Sequence, residues 1–506
     1  MPLALFRARS PLVSTLLLVA LLTTGVWLVG RTEEHALQPS TERVWAESPV
    51  TTSRSPLGRH RVPKPTQVKA QDAPQLSMAS HVPVDVAEPS HSKETYGKAA
   101  PYLFPVNDPE HTHPWTLHNQ GAMQSLFACL ESVNCAQNQT KVILLASYHF
   151  RGALSGWDGG EDLWARSTII ALGNLGYTIL YATTPHLQRT IQLYQTMPNL
   201  ISMVLLDVGD MMTCFNDDST LCVKSHDNPD GIPAHKIFTF NWWEDSAHPL
   251  DERWDLSPEA YPGSKHTYLG YSIEPSCAQR TFVPHSERAK QVYVMGKNGD
   301  YFAAGNRAWE PHTLERAAEA IRPPSVDAGA GAEAQVRFLV GIREDGLPAE
   351  FAAVEKKGML KDLGRLSPEE FYSRLSHSVA LLGMGSPRTS PSAYDALCLG
   401  VAFINPVHSW DRDYPTDRTR WVAQHETLKY LDPPYVYNVF VNDDEGFVRA
   451  VKEATERPFS SFIPKHMRFP AIEERLGKII NTDWKGRAEE LMEQRRKGGP
   501  GKVFLL

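Results

Sequence analysis

The sequence has little cysteine, no long block of basic residues and no internal repeat. Its six cysteines in 506 residues show no Cys-x-x-Cys or cysteine–histidine spacing of the kind that binds zinc. The 51 Lys and Arg residues are outnumbered by 58 Asp and Glu residues, giving a formal charge of -7, and no basic run is long enough to follow a phosphate backbone. The sequence therefore indicates neither a zinc site nor a nucleic-acid partner.

Charged residues are also absent from residues 10–30. This apolar stretch is long enough to cross about 30 Å of hydrocarbon as a helix. Because Arg7 and Arg9 precede it, the charge bias predicts a cytosolic tail over residues 1–9, a transmembrane signal anchor over 10–30 and a lumenal body. A cleaved signal peptide is the alternative, but the stretch is long for one and lacks an Ala-x-Ala pattern. Both alternatives place the body in the secretory pathway.

All six cysteines follow this stretch, where the compartment would be oxidising. The close pairs Cys129/Cys135 and Cys214/Cys222 are typical of local disulfides, although six cysteines allow many pairings. Cys398 lies in an apolar helical stretch, where we expect a buried free thiol.

Residues 31–105 are rich in Pro, Ser, Thr and His, with few aromatic residues and no period of 2 or 3.6. This composition predicts a flexible stem. A glycosylation sequon begins at Asn138, beyond the stem. It is accessible to the lumenal glycosylation machinery if its side chain is exposed.

Strand-like and helix-like segments alternate in the body. The apolar runs at 141–147, 177–181 and 203–208 suit buried parallel strands, and 161–175 has helical spacing that ends at a glycine. This order predicts a doubly wound α/β domain over 106–285.

A second series of short apolar runs, at 292–296, 336–341, 379–383 and 401–404, predicts another Rossmann-like domain over 286–455. It includes a loop insert at 323–334 that is rich in Pro, Gly and Ala. We expect the charged, helical tail at 456–506 to pack back on the first domain. Two such domains facing across a cleft would bind ligands at the carboxyl ends of their strands.

Residues 378–406 are the most informative segment, because they predict a strand, a glycine turn, a capped helix and a second strand. Gly383 and Gly385 allow the backbone to pass close to a ligand, with Ser386 directly after them. Taken alone, this pattern is equally compatible with a structural βαβ crossover.

The helix in this segment has recognisable ends. Ser390 is a natural N-cap with Pro391 at the first helical position, and Gly400 is a natural stop. The helix start would present free N–H groups to a diphosphate. Asp395, about one turn in, is placed to accept hydrogen bonds from a ribose.

Residues 382–406 resemble the donor-site block of the N-acetylglucosaminyltransferase V family, glycosyltransferase family 18. The family has a Gly-x-Gly-x-Pro turn and a later Ala-Phe-Leu-Asn-Pro; this chain has Gly383-Met384-Gly385-Ser386-Pro387 and Ala402-Phe403-Ile404-Asn405-Pro406. It differs in having Asp395 where the family usually has Glu, and Ser390-Pro391 in place of Gly-Pro. The resemblance implies that this block binds the donor.

Further blocks of the chain are similar to the same family. These are Trp254-Asp255-Leu256-Ser257-Pro258, the segment from Tyr268 to Glu274, and Gly296-Lys297 at a strand end. In the last of them, a lysine can neutralise a leaving diphosphate. The blocks are separated and together extend over about three-fifths of the chain, from residue 146 to residue 452.

Glu161 is the candidate catalytic base, because Gly159-Gly160-Glu161-Asp162-Leu163-Trp164 is similar to the Leu-Gly-Glu context of the family's general base. An inverting transfer needs one base to accept the proton of the acceptor hydroxyl. An acidic residue that complements a helix N-terminus is the alternative.

Several other residues are weaker candidates. His149, Arg151, Trp254 and Glu274 are candidates for the acceptor side of the cleft. Asp411-Arg412-Asp413 resembles a metal-binding Asp-x-Asp, but it does not directly follow an apolar strand and more closely fits a solvated loop.

The resemblance implies an α/β, GT-B-type fold in which two Rossmann-like domains face across a cleft, preceded by a transmembrane helix and a disordered stem. It also implies a Golgi enzyme that moves N-acetylglucosamine from UDP-N-acetylglucosamine to a mannose-containing N-glycan in a β-1,6 linkage, without a metal or cofactor. Its partners would be the nucleotide sugar, a glycoprotein glycan and the Golgi membrane. A different nucleotide sugar, a catalytically silent glycan-binding scaffold and a secreted hydrolase are the alternatives.

Overall fold

A computed structural model describes residues 112–506 apart from 158, 183–185, 246–247, 322–336 and 344. These residues belong to one compact unit. The predicted cytosolic tail, the segment at 10–30, the stem and the loop insert at 323–334 lie outside the described residues.

The first domain is built on a six-stranded parallel sheet with the order β2-β1-β3-β4-β5-β6. Its strands are β1 (Val142–Leu145), β2 (Thr178–Tyr181), β3 (Ile201–Leu206), β4 (Ile237–Phe240), β5 (Asp255–Ser257) and β6 (Thr267–Tyr268). Nearly every position of the first four strands is buried. This burial is expected where helices cover both faces of a parallel sheet.

The helices of this domain follow the strands in alternation. They are α1 (Pro114–Ser132), α2 (Tyr148–Leu154), α3 (Gly160–Asn174), α4 (His186–Thr196), α5 (Val208–Asn216) and the short α6 (Glu274–Ala278). The first strand has β2 on one side and β3 on the other, so the direction of the chain across the sheet reverses at β1. Ligands of such sheets bind outside the carboxyl ends of the strands at this reversal.

The second domain contains a sheet of the same kind. Its strands are β7 (Val292–Met295), β8 (Phe338–Val340), β9 (Leu360–Asp362), β10 (Ala380–Gly383), β11 (Ala402–Ser409), β12 (Val422–Ala423) and β13 (Val436–Phe440). Six strands are parallel in the order β13-β11-β10-β7-β8-β9, and β12 pairs antiparallel with the end of β11. The predicted pair of Rossmann-like sheets is therefore confirmed, and the reversal in the second sheet falls between β7 and β10.

The helices of the second domain are α7 (Pro311–Ala320), α8 (Ala349–Lys356), α9 (Pro368–Ser376), α10 (Ser392–Cys398) and α11 (Asp444–Glu456). Two further helices, α12 (Phe469–Asn481) and α13 (Trp484–Arg496), end the chain and pack on the first domain. There the ring of Trp484 lies 4.9 Å from that of Phe238 and 5.1 Å from that of Trp254.

The expectation of a transmembrane helix in the fold is corrected. Among the helices of the described residues, none is long and apolar enough to cross a membrane. The longest of these, α1, has 19 residues but carries polar side chains such as Asn119 and Gln124 along its length. The described residues therefore form two Rossmann-like domains.

Three disulfides include all six cysteines. Cys129–Cys135 and Cys214–Cys222 are confirmed as local bridges. The prediction of a free thiol at position 398 is wrong, because Cys398 is bonded to Cys277. The end of α6 brings the Cα atom of Cys277 to 5.9 Å from that of Cys398 at the end of α10.

Candidate active site

A cleft of about 530 Å³ lies between the two domains, beside the carboxyl ends of strands from both sheets. The first domain lines it with Gly159, Gly160, Glu161, Leu163, Trp242 and Trp243. The second domain contributes Tyr293, Met295, Gly296, Lys297, Tyr301, Gly341, Arg343, Leu366, Ser367, Pro368, Phe371, Tyr372, Pro387, Arg388, Thr389, Ser390, Pro391, Ser392 and Asp395. The fold thus brings Glu161, Lys297 and Asp395 to one cavity, although they are far apart in the sequence.

The two domains approach each other closely at the start of α3. A Cβ atom on Gly160 would lie 3.3 Å from Cγ of Pro391, which precedes α10, and 3.0 Å from the indole of Trp242. Arg388, in the same segment of the second domain, forms an ion pair with Glu244 of the first. Glycine at position 160 therefore permits the close approach that places Glu161 opposite the start of α10.

Glu161 and Asp162 are neighbours in the first turn of α3 but have different surroundings. Asp162 is buried, and its carboxylate accepts hydrogen bonds from the backbone N–H of Gly159 at 3.1 Å and pairs with Nδ1 of His149 at 2.9 Å. Glu161 is half-buried in the cleft wall and, within the described residues, its carboxylate has no hydrogen-bond partner. Asp162 thus stabilises the helix start, which leaves Glu161 available to accept a proton.

Two cationic side chains lie in the cleft at the ends of neighbouring strands. Lys297 follows β7 and Arg343 follows β8, and the backbone N–H of Arg343 donates to the carbonyl of Lys297 at 2.8 Å. Arg343 was not predicted from the sequence. Its signal is a similar pattern, since one apolar strand is followed by Gly296-Lys297 and the next by Gly341-Ile342-Arg343.

The glycine turn after β10 lies behind the cleft wall. A Cβ atom on Gly383 would lie 2.2 Å from Oε1 of Gln424, and the same oxygen accepts a hydrogen bond from the N–H of Gly385 at 2.8 Å. Nε2 of Gln424 donates to the carbonyl of Pro387 at 2.8 Å. Gly383, Gly385 and Ser386 are not among the residues that line the cleft. Gly383 leaves room for Gln424, whereas a Cβ atom on Gly385 would lie 2.9 Å from the carbonyl oxygen of Asn306. Donor binding by this turn stays a prediction.

The helix after this turn begins one residue later than predicted. Ser392 is its first residue and Pro391 its N-cap, while Oγ of Ser390 lies 3.4 Å from the N–H of Ser392. Gly400 follows the helix with φ of +70°, so the predicted stop is confirmed. The start of α10 still faces the cleft, and its N-cap residue, Pro391, makes no side-chain hydrogen bond to the first turn.

Asp395 lines the cleft, yet its carboxylate already has a partner. The hydroxyl of Tyr372 donates to Oδ2 of Asp395 at 3.1 Å. Burial raises the pKa of Asp395 to about 7, although the hydrogen bond from Tyr372 opposes this shift. Ribose binding by Asp395 stays a prediction. A ribose hydroxyl that binds Asp395 would share this carboxylate with the hydroxyl of Tyr372.

Two of the predicted cleft residues have structural roles. Trp254 is fully buried in the first domain, where its indole N–H donates to the carbonyl of His235 at 3.2 Å. Oε2 of Glu274 accepts the N–H of Phe469 at 2.8 Å and so holds the start of α12. Neither residue is among those that line the cleft, and a role of either in acceptor binding stays a prediction.

The remaining candidates lie outside the cleft lining. His149 and Arg151 are in α2, at the carboxyl end of β1. Nδ2 of Asn138, the atom to which a glycan would be attached, donates to the carbonyl of Leu175 at 2.8 Å, and the side chain is half-buried. In the loop after β11, Asp411 forms an ion pair with Arg420. Within the described residues, no group of His, Cys, Asp or Glu side chains is arranged to bind a metal.

A buried carboxyl group joins the domains beneath the cleft. Glu259 of the first domain is fully buried, and Oε2 accepts a hydrogen bond from the hydroxyl of Tyr394 in α10 at 3.1 Å and another from Thr427. Burial raises the pKa of Glu259 to about 7, against the opposing effects of these hydrogen bonds and of the positive charge of Arg475.

We expect Glu259 to make stability pH-dependent. The folded protein retains this proton up to about pH 7, whereas the unfolded chain releases it near 4.5. As the pH rises from 4.5, the pKa in the unfolded chain, to about 7, the pKa in the folded protein, the stabilising contribution of Glu259 is lost. The free energy of unfolding should therefore fall by about 3 kcal/mol over this range. Urea unfolding of the wild type and of Glu259→Gln across this pH range measures the effect.

Glu259→Gln should flatten part of this pH dependence, because the amide keeps the shape of the side chain and cannot ionise. The pKa of Asp395 is also raised by burial, so Asp395→Asn should remove a further part of the pH dependence of stability. An unchanged pH slope in Glu259→Gln would contradict the assignment.

Comparison with known proteins gives one partial sequence match. No protein-family model matches the chain. Human alpha-1,6-mannosylglycoprotein 6-beta-N-acetylglucosaminyltransferase B is 24% identical over 135 residues. The match spans 25% of this chain and 17% of the human protein, about a sixth of its length. Membership of glycosyltransferase family 18 is therefore not established by this likeness.

Several solved structures resemble the chain at low identity. AviGT4, a glycosyltransferase involved in avilamycin A biosynthesis, has a TM-score of 0.36 and 12% identity, covering 72% of this chain and 99% of its own. A mutant O-GlcNAc transferase from Thermobaculum terrenum has a TM-score of 0.33 and 9% identity, covering 81% and 78%. HepE from Anabaena in complex with UDP has a TM-score of 0.27 and 10% identity, covering 71% and 100%. Because these TM-scores are below 0.5, the fold is described from this chain's own strand order and not from the likeness to these structures.

Proposed function

We propose that the chain is a metal-independent, inverting N-acetylglucosaminyltransferase that uses UDP-N-acetylglucosamine and a mannose-containing N-glycan. The GT-B-like pair of domains, the motif similarity and the partial match to the human transferase support this proposal. By that similarity, the product is a β-1,6 linkage. The single observation that carries the proposal is the meeting of Glu161 with the two cations Lys297 and Arg343 in one cleft between the domains.

The geometry supports a single displacement. The Glu161 carboxylate accepts the proton of the acceptor hydroxyl as the hydroxyl oxygen bonds to the anomeric carbon. The bond from that carbon to the diphosphate oxygen breaks on the opposite face, and its electron pair leaves with UDP. Lys297 and Arg343 lie where they can stabilise the charge that develops on the departing diphosphate.

The disulfides are consistent with action in the secretory pathway. Three bridges require an oxidising compartment to form and persist. We propose the Golgi lumen as the site of the reaction, and the mannosylglycoprotein in the human relative's name supports a mannose-containing acceptor.

UDP release by the purified chain tests the function. UDP-N-acetylglucosamine is supplied in EDTA, with and without mannose-terminated N-glycans, beside UDP-glucose and UDP-galactose as alternative donors. We expect release that requires the glycan, survives EDTA and is fastest with UDP-N-acetylglucosamine. A preference for another donor would correct the sugar. Absence of both release and UDP-N-acetylglucosamine binding would favour a silent scaffold and contradict the proposal.

Lys297→Met should weaken binding of UDP-N-acetylglucosamine by about tenfold or more, because a charged hydrogen-bond donor to the diphosphate is lost. Arg343→Met should have a similar effect. Calorimetric titration with UDP measures the change. Lys290→Met is the matched control, since Lys290 is exposed and precedes the same strand, β7, at its opposite end. Equal affinities in Lys297→Met and the control would contradict the diphosphate role.

A further inference from the structure

Two exposed aromatic side chains, one in α2 and one that packs against it, lie next to the helix that carries Glu161. Tyr148 and Gly152 are four residues apart in α2 and therefore share one face. A Cβ atom on Gly152 would lie 2.4 Å from Cε3 of Trp157, so the indole lies directly over this glycine. Tyr148 is 42% exposed and Trp157 is 54% exposed. We call these two rings the aromatic strip.

The Tyr148 end of the strip is connected to the proposed base through a series of contacts. The ring of His149 lies 4.2 Å from that of Tyr148, and Nδ1 of His149 is 2.9 Å from Asp162, which follows Glu161. Burial raises the pKa of Tyr148, and the negative charges of Asp207, Glu161 and Asp162 raise it further. The phenol is therefore within electrostatic range of the Glu161 carboxylate.

The strip also lies at the position where the first sheet is expected to bind a ligand. Tyr148 begins α2 directly after β1, and Asp207 is the N-cap of α5 directly after β3. The chain reverses its direction across the sheet between these two strands. Ligands of doubly wound sheets bind at this place, outside the carboxyl ends.

The chemistry of this surface fits an uncharged sugar chain. Exposed aromatic rings pack against the apolar faces of pyranose rings, and carboxylates such as Asp207 accept hydrogen bonds from hydroxyl groups. Asp207, Glu161 and Asp162 all lie close enough to Tyr148 to act on it electrostatically, and their negative charges would repel an acceptor with phosphate or carboxylate groups. Tyr148 is four residues, about 6 Å along the helix, from Gly152, which Trp157 covers, so the strip is long enough for more than one sugar ring.

We infer that the aromatic strip of Tyr148 and Trp157 is the acceptor subsite and that it binds an uncharged oligosaccharide of at least two sugars. The sugar with the attacking hydroxyl lies beside Glu161, Tyr148 and Asp207, and the next sugar packs on Trp157. This inference rests on the proposed function and adds the acceptor's class and minimum length to it.

Calorimetric titration of the full chain with methyl α-mannoside, mannobiose and mannotriose tests this inference. In the wild type, affinity should rise about fivefold to tenfold from the monosaccharide to the longer sugars, because a second ring packs on an aromatic side chain. Trp157→Ala should abolish this gain. Gly152→Ala should also reduce it, because the added methyl group displaces the Trp157 ring without removing it.

Tyr430→Ala is the matched control, since Tyr430 is 50% exposed in the second domain; it should keep the gain with length. Mannobiose that carries a phosphate group should bind more weakly than mannobiose itself. No gain with length in the wild type, or a gain that persists in Trp157→Ala, would overturn the inference. UDP titration of the same samples tests the proposed function separately, so loss of donor binding and loss of oligosaccharide binding can be distinguished.

Discussion

Glu161→Gln should lower the rate of sugar transfer by about 10²- to 10⁴-fold, the range for loss of a positioned general base. Glutamine keeps the size of the side chain but cannot accept the proton of the acceptor hydroxyl. Donor binding should be unchanged, because Lys297 and Arg343, the cations that we propose bind the diphosphate, belong to the other domain. Single-turnover transfer and UDP titration measure the two properties separately.

Glu369→Gln is the matched control for this substitution. Glu369 occupies the second position of α9, as Glu161 does in α3, and it is exposed. Loss of a helix-terminal charge should cost each variant at most about 1 kcal/mol of stability. If Glu161 were only a helix-terminal acid, the two variants would have the same transfer rate, and the catalytic assignment would be wrong.

Removal of the Cys277–Cys398 disulfide should have the largest effect on stability. This bridge joins residues 121 positions apart, and restricting a loop of that length in the unfolded chain stabilises the fold by about 5 kcal/mol in the chain-entropy account. It also fastens α10, which carries Asp395, to α6 at the end of the first domain. We expect Cys277→Ala with Cys398→Ala to lower the urea midpoint strongly and to weaken UDP binding.

The double substitution at Cys129 and Cys135 provides the comparison. These residues are only 6 positions apart, so the same account gives about 2 kcal/mol, and the bridge lies outside the cleft. UDP binding should be unchanged in this control. Equal stability losses for the two bridges, with UDP binding retained in both, would show that the long bridge does not hold α10 in place.

Much of the fold followed from short apolar runs. The runs near β1, β2, β3, β7, β8, β10 and β11 were identified because buried parallel strands are continuously apolar. By contrast, β5 and β6 have three and two residues, too few for a local pattern. These short strands form because the neighbouring strand offers backbone hydrogen-bond partners along its edge. β13 was also missed, since it contains Asn438, whose polarity is satisfied by the side chain of Asn405 in the neighbouring strand.

The site was only partly predictable for a similar reason. Motifs indicate Glu161 and Lys297 separately. Their position in one cleft depends on the close approach of the two domains at Gly160, which no local sequence pattern shows. Gln424 shapes the glycine turn from 39 residues away from Gly385. A pattern of glycines before a helix therefore predicts the turn but not the place of Gln424 beside Gly383, because a protein side chain and a ligand impose the same steric requirement.

The return of α12 and α13 to the first domain has a consequence for how changes in the gene affect the protein. The rings of Phe238 and Trp254 are covered by Trp484, which is translated more than two hundred residues later. A premature stop codon shortly before α12 would leave the whole second domain encoded, yet it would uncover the core of the first domain. The first domain is thus an incomplete fragment when it is expressed alone, and the last residues of the chain belong to its core.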